Sequence, residues 1–128
     1  MQSRAVPNRR AGQLPIPALA EPRDDLAEAT TLADSGRFTE ATAICHEHLR
    51  RHGSSAAAFF LLGLICDAGD RTADALRYFR KALYLESEHS ASLVHLALLL
   101  EKNGDAAGAR LLRERLARQQ SKDAGTAR

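Results

Sequence analysis

The sequence predicts an all-α protein, an α-solenoid of three helix-turn-helix hairpins with six helices, the last of them a C-terminal cap. Three observations point there. The chain is 45% hydrophobic but only 5% aromatic, with no Trp, and Ala, Leu, Arg and Glu dominate, a mixture that favours helices over strands. Its apolar residues recur at helical spacing between short turns. The pattern also returns every 34 residues: from Ala75 it falls on Ala41 and Ala109, and from Leu62 on Leu96.

The middle hairpin is the clearest. Phe59, Leu62, Ile65 and Cys66 form one helical stripe, Gly69-Asp70 interrupts it, and Ala75, Leu76, Phe79, Ala82 and Leu83 resume the same period. Gly63 lies inside the first helix, where Gly costs about 1 kcal/mol relative to Ala. A Gly there implies a close approach by the second helix, expected at Ala75 and Ala82. The turns at Gly36 and Gly104 are equivalent to Gly69-Asp70, which sits one residue earlier relative to its Ala. One such pair cannot cover its own apolar face, so the pairs must stack.

The outer hairpins depart from the middle one in ways that suit ends. In the first, Asp25 and Glu28 replace the large apolar and Leu positions, and Cys45 and His48 stand where Phe79 and Ala82 stand in the second. Its first helix is therefore expected to turn a polar face to water. In the third, Ala97 replaces Gly63 and Arg113 replaces Phe79, which closes the other end. Residues 1–21 hold Pro7, Pro15 and Pro17 with Arg4, Arg9 and Arg10, and predict a semi-extended linker. The domain is expected over 22–120, with repeats near 22–55, 56–89 and 90–120, followed by a disordered tail at 121–128.

Phe59, Leu62-Gly63, Gly69-Asp70, Ala75, Phe79 and Ala82 together resemble the tetratricopeptide repeat signature. A second resemblance lies in Ala75-Leu-Arg-Tyr-Phe-Arg-Lys-Ala-Leu-Tyr-Leu-Glu86 and Ser92-Leu-Val-His-Leu-Ala-Leu-Leu-Leu-Glu101. These strings are similar to the C-terminal repeat region of CheR-type chemoreceptor methyltransferases, in particular the type found in surface-sensing, biofilm-forming bacteria. The resemblance implies a parent enzyme that methylates receptor glutamates with S-adenosylmethionine in a separate catalytic domain. This chain carries none of that domain, so no cofactor is expected in it. Met1 would then be a start added to an excised tail. Some tetratricopeptide domains clamp a peptide carboxylate with Lys, Asn and Arg; here Leu26, Thr30, Leu61, Ala91 and His95 occupy those positions, which argues against such a clamp.

Composition excludes several other functions. The net charge is +2. The basic excess of Arg110, Arg113, Arg115, Arg118 and Lys122 reads as a solvated capping helix rather than a nucleic-acid surface, which would need a broader basic face and stacking aromatics. The longest apolar run, Ala56 to Cys66, has eleven residues, too few to span a bilayer. Cys45 and Cys66 lie on apolar helix faces without paired spacing, as expected of free thiols in a cytoplasmic protein. No phosphate loop, catalytic triad or apolar carboxylate pair is present, so the chain itself is not expected to be an enzyme. His48 and His52 stand at metal-compatible spacing, with Cys45 and His46 nearby, but without a third ligand no metal site is expected. Instead His48 should pack at the helix contact, with His46 and His52 solvated.

The remaining candidate is a groove. In stacked hairpins the first helices line the concave side, so the predicted lining is Leu26, Thr30, Phe60, Leu61, Leu64, Asp67, Val94, His95, Leu98 and Glu101. Such a wall suits an amphipathic helix or an extended apolar peptide, anchored by Phe60, Leu64, Val94 and Leu98. The partner would be a receptor or signalling protein, and the chain itself a monomer. Alternatively, the segment Leu14 to Leu19 or a second copy fills the groove, making the module autoinhibitory or self-associating. A third possibility is that these residues are plain core.

Overall fold

The computed structural model describes residues 24–126, with side chains as far as Asp123. Among them the chain forms six helices and no strand: α1 Asp25–Asp34, α2 Phe38–His52, α3 Ala56–Ala68, α4 Thr72–Leu85, α5 Ser90–Lys102 and α6 Ala106–Thr126. The first helix of each hairpin starts on a side-chain acceptor, which satisfies an otherwise orphaned helix N–H. Asp24 Oδ1 accepts from the Ala27 N–H at 3.0 Å, Ser55 Oγ from Ala58 at 3.2 Å and His89 Nδ1 from Ser92 at 3.3 Å. The second helices α2 and α4 follow Arg37 and Arg71 without such a bond.

Three matching turns join the two helices within each hairpin. The Arg37, Arg71 and Asp105 N–H groups each donate at 2.8 Å to the carbonyls of Leu32, Cys66 and Leu100 respectively. These bonds close the first helix of each pair as a Schellman-type cap. The left-handed residue in each turn is Gly36 (φ +80°), Asp70 (φ +60°) and Gly104 (φ +93°). The turns are thus in strict 34-residue register. The offset suggested by the sequence came from Gly69, which occupies the preceding position while Asp70 takes the left-handed one. Asp tolerates that conformation better than most non-glycine residues.

Helices pair within hairpins as α1 with α2, α3 with α4 and α5 with α6. Successive hairpins meet through α2 against α3 and α4 against α5, and α1 also reaches α3. Ala29, Ala41 and Cys45 pack against Leu61, Leu62 and Ile65 in one core cluster. Cys66, Ala75, Phe79 and Leu83 pack with Leu93, Leu96, Ala97, Leu99, Leu100, Ala109 and Leu112 in the other. Helix α3 contributes to both, which is why it carries no charge before Asp67.

Gly63 owes its identity to a different neighbour from the one expected. A Cβ built there would lie 2.5 Å from Cε1 and 2.6 Å from Cδ1 of the fully buried Phe79 ring. The close approach is made by this aromatic ring, not by Ala75 or Ala82. The equivalent pairs differ in size: Ala29 with Cys45 in the first hairpin and Ala97 with Arg113 in the third. Arg113 turns outward and forks onto Glu101, donating from Nη1 to Oε2 at 3.1 Å and from Nη2 to Oε1 at 2.8 Å. The hydrogen bond from Arg113 holds the Glu101 carboxyl below the usual carboxylate range.

Helix α6 does not stop near residue 120, as the expected tail at 121–128 required, but runs to Thr126. Polar tethers hold it to the α4–α5 connection. Arg115 Nη2 donates to the Ser87 carbonyl at 2.8 Å, and Gln119 Nε2 donates to the Glu88 carbonyl at 2.8 Å and Ser90 Oγ at 2.7 Å. The expected linker at 1–21 lies outside the described residues. Among those described, no helix is long and apolar enough to cross a membrane.

Both cysteines are buried free thiols. Burial in the first cluster pushes the Cys45 thiol up from 9.0 to about 11. An acid whose folded pKa lies above its unfolded value keeps its proton more tightly when folded. This contribution to stability is therefore complete below about pH 9 and is lost as pH climbs toward 11. At pH 8 the two-unit rise lowers the thiolate fraction by about 100-fold. Alkylation of Cys45 in a Cys66→Ser chain should accordingly be slowed by at least that factor relative to the urea-unfolded chain; rates within a few-fold of each other would disprove it.

Candidate partner-docking surface

The predicted lining residues separate into distinct groups. On α5, Val94 is 38% exposed and Leu98, one turn on, 52% exposed. Beside them His95 is half-buried, with its ring 5.3 Å from Phe60 in an edge-on arrangement and 6.1 Å from Phe79. Phe60 and Leu64 of α3 are half-buried and rest against the second core cluster. Phe60 and His95 thus form the joint between the second and third hairpins, with Val94 and Leu98 standing clear of it.

The other lining residues fall elsewhere. Leu61 is only 5% exposed and belongs to the first core cluster with Ala29 and Cys45, so it lines no groove. The first hairpin leans on that side of α3 and covers it. Leu26 is half-buried against the same cluster, while Thr30 is exposed and returns its hydroxyl to the Leu26 carbonyl at 2.8 Å. Asp67 is half-buried near the end of α3, and Glu101 is exposed but engaged by Arg113.

Two features escaped the sequence reasoning. His89 caps α5 and also places its ring 5.4 Å from Phe60, so it helps set the angle between hairpins. Only its position one residue before Ser90 hinted at this. The second is a recess of about 600 Å³ between α4 and α6, floored by Leu83, Leu96, Leu100 and Leu112. Arg80, Arg115 and Arg118 rim it, and Leu111, 59% exposed, stands on its wall. It opens where Leu112 replaces the larger Tyr78 of the preceding repeat, whose ring stacks on Phe59 at 6.1 Å. A repeat-by-repeat comparison of side-chain size would have found it.

No family model matches the chain, so the repeat assignment rests on its own 34-residue register. Curated proteins do match. The chain is 44% identical over 123 residues to the probable biofilm formation methyltransferase WspC of Pseudomonas aeruginosa. That alignment covers 93% of this chain and 29% of the relative. It is also 45% identical over 93 residues to the protein of the same name in Pseudomonas putida, covering 73% of this chain and 22% of that protein. The chain therefore spans less than a third of the length of these relatives.

Proposed function

We propose that this chain is the non-catalytic, protein-binding part of a cytoplasmic methyltransferase in a biofilm signalling pathway. It docks an amphipathic helix or an apolar peptide of a receptor or signalling protein across α5 and the adjoining edge of α3. The observation that carries this is the pair Val94 and Leu98, apolar and exposed one turn apart on α5, beside the half-buried Phe60 and His95. An exposed aliphatic pair beside half-buried rings offers apolar surface on which an amphipathic helix can lay its own apolar face. The tetratricopeptide resemblance and the names of the two matched methyltransferases support the same assignment. S-adenosylmethionine and the methyl transfer belong, on this view, to a catalytic domain in the part of the relatives that the chain does not span.

The test is binding of the chain to the cytoplasmic fragment of a chemoreceptor of Pseudomonas aeruginosa, the source of one matched relative, measured by calorimetry. The double change Val94→Asp with Leu98→Asp should leave the helical circular dichroism intact and weaken binding by roughly tenfold or more, as loss of a central anchor does. Unchanged affinity would overturn the docking site. So would a wild-type chain that sediments as a dimer and becomes monomeric in the double variant, since the surface would then serve self-association.

A further inference from the structure

The first hairpin carries a polar cluster where the others are apolar. Asp25 in the first turn of α1 and His48 on α2 occupy the positions of Phe59 and Ala82 in the second hairpin and of Leu93 and Leu116 in the third. In those hairpins the contact is apolar, with Ala82 and Leu93 essentially inaccessible. Replacing two apolar partners at one helix contact by a carboxylate and an imidazole forfeits hydrophobic burial, and some other interaction must occupy the site. His52, one helical turn beyond His48, completes the group: one ligand atom from each of Asp25, His48 and His52 lies within 4.8 Å of the others.

The geometry points to a divalent transition-metal site, best suited to zinc, that clips α1 to α2. Two histidines at i and i+4 present their rings on one face, and here the ring centroids are 4.8 Å apart. A carboxylate from a second helix supplies the third ligand, and a water would complete a four-coordinate site. A tetrahedral ion with bonds of about 2.0–2.1 Å spaces its ligand atoms by roughly 3.3 Å. Reaching that spacing from within 4.8 Å requires rotation of the three side chains, which are half-buried or exposed. Nδ1 of His48 is buried and lacks a hydrogen-bond partner among the described residues, so no competing hydrogen bond engages that atom. Arg51 Nη1 is 4.0 Å from Asp25 Oδ2, but its side chain is more than half exposed and free to swing away. The sequence showed two of these ligands and expected no metal; the register of α1 against α2 supplies the third. The inference is independent of the docking surface on α5.

Calorimetric titration of the untagged, chelator-treated chain with Zn²⁺ tests it, alongside melting followed by circular dichroism. We expect one ion per chain and a melting temperature that rises with zinc and falls back on adding chelator. His52→Ala and Asp25→Asn should each weaken binding by more than the roughly 10–100-fold typical of a ligand's supporting partners. His52 is exposed, so its variant should fold normally without zinc. His46→Ala, on an exposed neighbour outside the cluster, should bind as wild type does. Absence of stoichiometric binding would overturn the site, as would wild-type affinity in the His52→Ala and Asp25→Asn chains.

Discussion

Phe79→Ala is expected to destabilise the chain by about 3–5 kcal/mol, in the upper range for a core truncation. Among the buried side chains it is the largest, with no exposed surface, and it stands in the core cluster that joins the second and third hairpins. Its ring also meets Phe60 at 5.9 Å and His95 at 6.1 Å, so truncation loosens the joint beneath the docking surface as well as the hairpin itself. Domains are stable by only about 5–15 kcal/mol in total. Urea titration should therefore show a midpoint displaced by about a fifth or more of its wild-type value, and a loss below about 1 kcal/mol would mean the surrounding helices collapse readily into the space.

Gly63→Ala is the second change expected to have a large effect, and its sign is the informative part. Helix propensity alone favours Ala by about 1 kcal/mol. Against this, the added methyl would lie 2.5 Å from Phe79 Cε1, inside a fully packed core. Overpacking of this kind costs about 1–3 kcal/mol, and a contact so close places Gly63 toward the upper end. The net expectation is a loss of about 1–2 kcal/mol. Combining it with Phe79→Leu, which withdraws the ring edge, should recover part of that loss, giving a coupling of about 0.5–3 kcal/mol in a double-mutant cycle. Strict additivity of the two changes would show that the methyl is accommodated elsewhere.

The architecture was legible because the 34-residue register is written in small residues at tight contacts and in turn residues, and these are local signals. Turn position was less so: Gly69 suggested a shifted turn, whereas Asp70 adopts the left-handed conformation that Gly36 and Gly104 take. Helix α3 is apolar on nearly every side, so periodicity gave no polar face by which to orient it. Leu61 therefore reads as groove lining from the sequence, whereas the first hairpin covers it. The end of α6 was missed for the opposite reason. Polar bonds from Gln119 and Arg115, which leave no periodic trace, hold the helix down. The Asp25 ligand was invisible because the pairing of α1 with α2 brings together residues more than twenty positions apart.

The unequal pairs at Gly63 with Phe79 and Ala29 with Cys45 make the first two hairpins keyed parts rather than copies. A chimera in which α2 and α4 trade places would drive a benzyl group against the Ala29 methyl and leave an empty space beside Gly63. Each of these two first helices thus admits its own companion and rejects the other's, so their pairing is guarded by shape.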